Sequence, residues 1–507
     1  MKSGLREPDG GLVAVASEML RGPRLARFVL GGALVAALGF ACAAPARSPG
    51  ASPSPTPPKI EISQQERFAE GSQLAIYARQ SRASGLPLSW DIRRIVLDKV
   101  DGTQVNVPGT EVTLRTDDLD RGQKLVAISE APEGEYKGLT LFTRGVYFTD
   151  TGEPIPTEAT LVSATHAFSI VAGNATTIVL AADLAEPGQP RASFKFRPTV
   201  TVDEEPSAVK GKAVYVSNEL SSNISVIDKA AKRVVKNVFV GMRPSAVAAD
   251  QRRSRLYIAD RKAGAVYEMD MMSLHLLKAT QIEFVDEPVH IEPILVKDLL
   301  MVVNFGSDTV ILLDAFTLQL VETISVGDGP VDAIYSALWD VAFIVNLLDN
   351  SLSVIDFETQ PPAVDTTIEV GSMPTGITID DGMGWLYVSN SGSTELSVIK
   401  IETMAVERTV PVGIGAGDIV LDPYGRRLFL SMTDTNEILC VDPYTGVTIY
   451  SVRLPSKPGK LMFDPDEKKL YAAIPGKNAV VVIDTITREI QNWIETGEVP
   501  SSIALKP

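Results

Sequence analysis

The 507-residue sequence predicts an all-β protein in which a β-sandwich precedes a seven-bladed β-propeller. Two recurring markers predict the propeller. An aromatic or large apolar residue returns every 42 or 44 positions, at Tyr215, Tyr257, Met301, Phe343, Tyr387, Phe429 and Tyr471. A second marker keeps the same spacing, at Pro244, Pro288, Pro330, Pro374, Ala416, Pro458 and Pro500. A shared period of roughly 40–45 residues is typical of propeller blades.

Each repeat contains four short segments with the composition of β-strands. In the first repeat these are AVYVSN from position 213, ISVID from 224, RVVKNVFV from 233 and SAVAA from 245. Within them β-branched and aromatic residues alternate, and Gly, Pro, Asn, Asp and Ser separate them. A four-stranded sheet of this kind has two apolar faces that it cannot cover alone. We therefore expect neighbouring sheets to stack and residues 213–507 to close into a ring.

The two ends of the repeat region predict how the ring closes. The first repeat begins at its Tyr-bearing strand, and the chain ends in SSIALKP, which matches SAVAAD and TGITID in other repeats. We expect residues 501–507 to complete the first sheet as its innermost strand. Three strands from residues 214–240 and one from the end of the chain would leave no open sheet edge.

The repeats also carry a family resemblance. The segments YVSNELSSNISVID, YVSNSGSTELSVIK and VGSMPTGITID resemble the YVTN-type propeller repeat, in which Tyr-Val-x-Asn is followed by Val-Ile-Asp and Gly-x-x-Pro. That family occurs in bacterial secreted and surface proteins and in archaeal surface-layer proteins. The resemblance covers about the last three-fifths of the chain, and the second repeat departs from it with YIAD and VDEP. It implies the fold, but related rings include both binding proteins and enzymes.

Residues 60–202 predict a separate β-sandwich. Segments such as QLAIYAR, DIRRIVLDKV and YKGLTLF alternate as half-buried strands do, and turn signals separate them at short intervals. APEGEYKGLTL and FSIVAGNATTIVLAADL resemble a lipoprotein-associated β-sandwich family with a prealbumin-like fold and no assigned activity. Residues 203–212 are predicted to link the two bodies.

The amino-terminal residues predict export and anchoring. Residues 1–41 form a signal peptide in which three arginines precede an uncharged run, and Met19 is the expected start because the first 18 residues suit such a segment poorly. Cys42 follows in LGFAC, which resembles a lipobox, so we expect it to carry the lipid. The alternative is cleavage after Ala43 or Ala44, with Cys42 discarded. Residues 42–59 are rich in Pro and Ser and predict a solvated tether. The expected location is the bacterial cell envelope, with membrane contact through the lipid only.

Composition narrows the classes of partner. The net charge is −16, and loss of residues 1–41 removes five basic and three acidic side chains, so the mature chain carries −18. Such a chain repels phosphate backbones, which makes nucleic acid an unexpected partner. An envelope or extracellular protein or a glycan is the expected partner. No cofactor and no metal site are predicted, because His166, His275 and His290 are far apart in sequence and no Cys-x-x-Cys-His motif occurs.

A recurring carboxylate suggests a metal ring but is better explained by turns. It lies at Asp228, Asp270, Asp314, Asp356, Asp442 and Asp484, with Lys400 at the equivalent place in the remaining repeat. This residue ends the third strand of each predicted blade, roughly 10 Å outside the innermost strand, where equivalent positions diverge. Ser or Thr three residues later is typical of a capped turn. We likewise expect Asn218, Asn304, Asn346 and Asn390 to serve the loops, because Asn tolerates left-handed backbone.

One position near the ring axis varies in chemistry. The second residue after each Pro marker, taken as the start of the innermost strand, is Ala246, His290, Asp332, Gly376, Asp418, Lys460 and Ser502. The following position is apolar in every repeat, as blade packing requires. We predict that His290, Asp332, Asp418 and Lys460 line a ligand site at the channel mouth. The alternative is a solvated mouth in which these charges pair with one another.

Two classes of function remain open. The first is a membrane-anchored binding or scaffold protein without catalytic residues, favoured by the anchor, the tether and the lack of a nucleophile–base set. The second is an exported enzyme. A lactonase-like hydrolase would use carboxylates beside a cation, which Asp332, Asp418 and Lys460 could supply, and a quinone- or haem-dependent oxidoreductase would need His290 as an axial ligand.

Overall fold

The computed structural model describes residues 72–80, 86–120, 122–157, 160–171, 175–185, 190–191, 194–203, 211–282 and 287–506. All of them belong to one compact unit, Glu61–Pro507. The predicted signal peptide, Met19, Cys42 and the tether lie outside the described residues. Among the helices that the structure describes, none has the length and apolarity to cross a membrane.

The first part of the unit is built from two sheets. Its elements are β1 (Gln73–Gln80), β2 (Leu88–Lys99), β3 (Gln104–Val107), β4 (Val112–Arg115), α1 (Thr116–Asp120), β5 (Gly122–Glu130), β6 (Gly134–Phe148), β7 (Leu161–Ile170), β8 (Ala175–Asp183) and β9 (Thr199–Asp203). One sheet has the order β3-β2-β6-β7, with β4 also paired to β2, and the other contains β5-β1-β8-β9. Their facing side chains share one core, in which Trp90 and Phe196 meet edge to face with ring centroids 5.4 Å apart.

The repeats form strands throughout. In chain order they are β10 (Ala213–Asn218), β11 (Asn223–Asp228), β12 (Arg233–Phe239), β13 (Pro244–Asp250), β14 (Arg255–Asp260), β15 (Ala265–Asp270), β16 (Leu276–Gln281), β17 (Pro288–Ile294), β18 (Leu299–Asn304), β19 (Thr309–Asp314), β20 (Leu320–Ser325), β21 (Pro330–Ser336), β22 (Val341–Asn346) and β23 (Ser351–Asp356). There follow β24 (Ala363–Glu369), β25 (Pro374–Asp380), β26 (Trp385–Asn390), β27 (Glu395–Lys400), β28 (Ala405–Pro411), β29 (Ala416–Asp422), β30 (Arg427–Met432), β31 (Glu437–Val441), β32 (Thr448–Arg453), β33 (Leu461–Asp464), β34 (Lys469–Ile474), β35 (Ala479–Asp484), β36 (Glu489–Glu495) and β37 (Pro500–Lys506). Short 3-10 turns occupy Ile401–Thr403 and Pro475–Lys477.

These strands assemble into four-stranded antiparallel sheets. Strands β13 to β32 form five of them in consecutive groups of four. Strands such as β22 and β35 are buried along their whole length, whereas the outer β24 alternates between exposed and covered positions. Tyr257 of one sheet and Val302 of the next share a core cluster, so neighbouring sheets cover each other's faces. The prediction of an all-β, propeller-like fold is confirmed.

The innermost strands differ from the prediction in one detail. Strands β13, β17, β21, β25 and β29 begin at the Pro marker or its equivalent Ala416, two residues before the variable position. A bulge follows at once: Pro288 pairs with Asn304, but His290 pairs with Val303. An extra residue bends the strand and re-aims the side chains that follow it. In β13, β17, β21 and β25 the variable position therefore lies just after a bulge and not at the start of a strand, whereas Lys460 directly precedes β33.

The last strand of the chain pairs with the first strand of the repeats. β37 runs antiparallel to β10, with Ile503 opposite Val216 and Leu505 opposite Val214, in the sheet β12-β11-β10-β37. The sheet thus takes three strands from the beginning of the repeats and one from the end of the chain, as the sequence predicts.

The sandwich is attached to the repeats by more than a linker. Strand β36 pairs in parallel with β5, where Ile494 lies opposite Gln123, so the sheet β33-β34-β35-β36 continues into the sandwich. Asn237 in β12 is buried at this joint. Its backbone N–H donates to Thr177 Oγ1 at 2.8 Å, and its side-chain Nδ2 donates to the Tyr77 hydroxyl at 3.3 Å. Burial raises the pKa of Tyr77, which is consistent with a dry contact.

The four asparagines act through their side chains and not through left-handed backbone. None of Asn218, Asn304, Asn346 and Asn390 has a positive φ, so the predicted reason was wrong. Asn390 Nδ2 donates to Ser397 Oγ at 3.1 Å, and that hydroxyl accepts from the Gly371 N–H at 3.2 Å. A Cβ at Gly371 would lie 2.6 Å from Asn390 Cγ. The Asn and the Gly of the repeat therefore belong to one buried contact.

The recurring aspartates cap their own turns. Asp442 Oδ1 accepts the N–H groups of Tyr444 and Thr445 at 2.8 and 3.0 Å, and the Thr445 hydrogen bond holds the pKa of Asp442 below its usual range. At Asp484 an ion pair with Lys469 and a similar turn lower the pKa to about 2. Each carboxylate is engaged locally, as the turn interpretation predicts.

Candidate functional site

A cavity of about 520 Å³ lies among the innermost strands. Its lining comes from several repeats and includes the four side chains predicted from sequence, His290, Asp332, Asp418 and Lys460. Pockets of 300–1,000 Å³ are the usual size for small-molecule sites. Much of the remaining lining is small or apolar, including Ala246, Ala248, Ile334, Val420, Met462 and Phe463, and it also contains Glu292, Gln251 and Thr378.

The four predicted side chains form one connected network. His290 Nδ1 lies 2.7 Å from Asp332 Oδ1. Lys460 Nζ donates to Asp332 Oδ2 at 2.8 Å and to Asp418 Oδ1 at 2.9 Å. Lys460 directly precedes β33 of the last sheet, and Asp332 lies in β21, three sheets earlier, so the lysine joins strands that are far apart in sequence. The structure brings all four together, and their role in binding stays a prediction.

Hydrogen bonds to neighbouring strands hold Asp418 in place. Asp418 Oδ2 accepts the Leu461 N–H at 2.7 Å, while the Asp418 N–H donates to Ser431 Oγ at 2.7 Å. Gly376 occupies the variable position between Asp332 and Asp418, and a Cβ there would lie 3.0 Å from the Gly417 carbonyl oxygen. Glycine at this place therefore permits the close approach of the two innermost strands.

Burial and neighbouring charges set the protonation of the network. Burial alone would raise the pKa of Asp332, but Lys460 and His290 outweigh it and hold that pKa well below its usual range. Burial alone would lower the pKa of His290, but Asp332 raises it to about 9. The two aspartates likewise raise the pKa of Lys460, against the effect of burial. Burial raises the pKa of Asp418, and Lys460 offsets only part of this. At neutral pH His290 and Lys460 are both charged.

Sequence reasoning missed one member of the site. Glu292 Oε2 lies 3.9 Å from His290 Nε2, and Glu292 Oε1 accepts the Tyr335 N–H at 3.3 Å. His290 Nε2 is buried and has no hydrogen-bond partner in the structure. Residues two apart on a strand share a face, so the spacing of Glu292 from His290 was the available signal. The sequence prediction rests on the variable position of each strand alone, and Glu292 lies two residues beyond it.

The donor set does not suit a metal or a haem. Within the described ranges, no three His, Cys, Asp or Glu side chains are arranged to hold a metal ion. The Lys460 ammonium occupies the place between Asp332 and Asp418 that a bridging cation would need. His290 Nδ1 is held by Asp332 Oδ1 at 2.7 Å and Nε2 is buried, so neither ring nitrogen is open to an iron.

Comparisons with known proteins support the fold alone. No protein-family model matches the chain, and no curated protein does. A functionally unknown protein from Desulfotomaculum acetoxidans DSM 771 is similar in structure, with a TM-score of 0.51 and 11% identity over 58% of this chain and 99% of that one. Hydrazine synthase from Kuenenia stuttgartiensis aligns with a TM-score of 0.46 and 19% identity, over 52% of this chain and 89% of that one.

Proposed function

We propose that this chain is an exported, membrane-anchored binding protein whose YVTN-type propeller holds a small ligand among His290, Asp332, Asp418 and Lys460. The observation that carries the proposal is a cavity of about 520 Å³ into which a partly buried, mutually paired charge network projects. Buried charges are costly, and sites that retain them are candidates for function.

The seven-bladed, closed ring is part of this proposal. Pairing of β37 with β10 supports it, because that contact joins the first repeat to the end of the chain. A second contact supports it too: the buried Lys229 of the first repeat pairs with Asp464 and lies 3.0 Å from Glu467, both in the last repeat. Deletion of residues 500–507 tests closure. We expect loss of the folded repeats, and unchanged urea unfolding would refute the closed ring.

The state of the network favours binding over catalysis. A general base must be unprotonated near the working pH, and a nucleophile must be free to attack. Here His290 and Lys460 are protonated, and both aspartates accept hydrogen bonds from neighbours. A lactonase-like reaction would need the carboxylates to be released from Lys460. The paired network therefore supports a role in holding a molecule.

The binding role is tested by recovering the ligand. The protein purified from its native envelope is compared by native mass spectrometry with the Lys460→Met variant. We expect a small molecule bound to the wild-type protein and depleted in the variant. A screen of lactones and sugar esters runs in parallel. Hydrolysis that is lost in Asp332→Ala would overturn the binding role in favour of the hydrolase.

Anchoring through Cys42 is a separate part of the proposal. A Pro/Ser-rich tether over residues 42–59 would reach about 50 Å if extended at about 3.1 Å per residue, enough to hold a folded body away from a membrane. We propose that the sandwich, joined to the repeats by the β36–β5 pairing, forms one scaffold with them that presents the site to an envelope protein or glycan. Labelling with an alkynyl fatty acid, with Cys42→Ser as control, tests the anchor. Equal labelling of both would refute it.

A further inference from the structure

The paired side chains of the network balance in charge, two positive against two negative, and Glu292 adds one further carboxylate beside the imidazole. His290 and Lys460 are positive and are paired with Asp332 and Asp418, while Glu292 lies 3.9 Å from the imidazole. A ligand with a full charge would have to break one of these pairs, or it would lose its hydration without gaining a counter-charge. Both are costly in a buried site. A neutral ligand meets neither cost.

The same network still offers both donors and acceptors. An ammonium has three hydrogens, and Lys460 uses two, so one remains; its side chain is 32% exposed, more than those of His290, Asp418 and Asp332 at 19%, 9% and 4%. His290 Nε2 also carries a hydrogen, but this atom is buried and faces Glu292 Oε2 at 3.9 Å, so the cavity does not reach it. The carboxylate oxygens that contact Lys460 keep spare lone pairs. A ligand group that both donates and accepts hydrogen bonds matches this lining, and a hydroxyl is such a group.

The remaining walls set the size and the other face of the ligand. Ala246, Ala248 and Ser502 are small, which leaves room beside the network, and Ile334 and Phe463 supply apolar surface. A cavity of about 520 Å³ is large enough for one or two sugar rings. Sugars combine hydroxyl edges with apolar C–H faces.

On the basis of the proposed binding function, we infer that the ligand is a neutral polyhydroxylated molecule of mono- to disaccharide size. Its hydroxyls contact Lys460 and Asp418. Its C–H face lies against the apolar wall that contains Ile334 and Phe463.

A series of sugars matched in shape but not in charge tests the inference. Glucose, galactose, mannose and maltose are neutral, the corresponding uronates are anionic and the hexosamines are cationic. Their affinities for the full mature chain are measured by titration calorimetry at pH 7. We expect at least one neutral sugar to bind at least tenfold more tightly than its charged counterparts. Lys460→Met should weaken it at least tenfold, whereas Lys477→Met, an exposed lysine outside the cavity, should not change it.

The outcomes separate the inference from the function on which it rests. If a uronate or a hexosamine binds as tightly as the neutral sugar, the inference is overturned and small-molecule binding stands. If no sugar of the series binds at millimolar concentration while native mass spectrometry still finds a ligand lost in Lys460→Met, the inference is again overturned alone. If neither experiment finds a ligand, the binding function falls with it.

Discussion

Replacing Lys460 with Met is the sharpest test of the charge network. Lys460 Nζ donates to Asp332 Oδ2 at 2.8 Å and to Asp418 Oδ1 at 2.9 Å. Without the ammonium, Asp332 keeps His290, but Asp418 keeps only the Leu461 N–H at 2.7 Å. The principal consequence is therefore an unpaired, buried carboxylate at Asp418.

The size of the effect follows from what that carboxylate can do. Removing one partner of a buried ion pair costs about 3–5 kcal/mol. The carboxyl can instead take up a proton, which from an ordinary pKa of about 3.9 costs about 4 kcal/mol at pH 7 and about 1.5 kcal/mol at pH 5. Protonation caps the loss, so we expect Lys460→Met to lower the free energy of unfolding by about 3–4 kcal/mol at pH 7 and about 1.5 kcal/mol at pH 5.

Urea unfolding followed by tryptophan fluorescence at the two pH values measures this loss. The double variant Lys460→Met/Asp418→Asn removes the stranded charge, so we expect it to regain about 2 kcal/mol at pH 7 and to lose the pH dependence. Lys477→Met, on the surface, should shift the free energy by less than about 0.5 kcal/mol. A loss below about 1 kcal/mol, or the same loss at pH 5 and pH 7, would refute the paired network.

Three further changes have defined outcomes. Gly371→Ala places a methyl group 2.6 Å from Asn390 Cγ, so we expect the free energy of unfolding in urea to fall by about 1–3 kcal/mol. Gly382→Ala, where the nearest atom lies at 3.8 Å, should be near neutral. Equal urea midpoints for the two variants would contradict the buried contact. Asn237→Ala leaves the Tyr77 and Thr177 hydroxyls without their side-chain partner between sandwich and repeats, so we expect the free energy of unfolding to fall by about 1–3 kcal/mol and hydrogen exchange in β36 to be faster. Unchanged exchange would argue against a tight joint. The pKa of His290 rises on folding from about 6.5 to about 9, so its contribution of about 3 kcal/mol is present below pH 6.5 and lost as pH rises through 9. His290→Gln should flatten that decline, and an identical pH profile would exclude His290 as its source.

The sequence predicted the architecture of the repeats from patterns that are local. Alternating apolar residues and regularly spaced turn residues determine where a strand begins and ends, so the four strands of each repeat were visible without coordinates. The same regularity located His290, Asp332, Asp418 and Lys460, because a position that varies in an otherwise constant strand is free of the packing constraint. The bulge in strands such as β17 was not visible, because it depends on the partner strand.

Several features depend on contacts between distant parts of the chain. Glu292 joined the site only when His290 was seen beside it, and the roles of Asn390 and Gly371 became clear only through Ser397. The pairing of β36 with β5 was not anticipated either, because an exposed strand edge carries no sequence mark that names its partner.

Residue order alone determined the all-β class, the repeat, the strands and the set of charged positions that line the cavity, since each follows from periodicities of two residues and of about 42. The tertiary structure alone decided that Lys460 reaches Asp332 three repeats away, that its ammonium lies between two aspartates, and that the sandwich extends the last sheet. Which side chains meet across a cavity depends on strand rotation and side-chain reach. The local sequence pattern specifies neither the rotation of a strand nor the reach of its side chains.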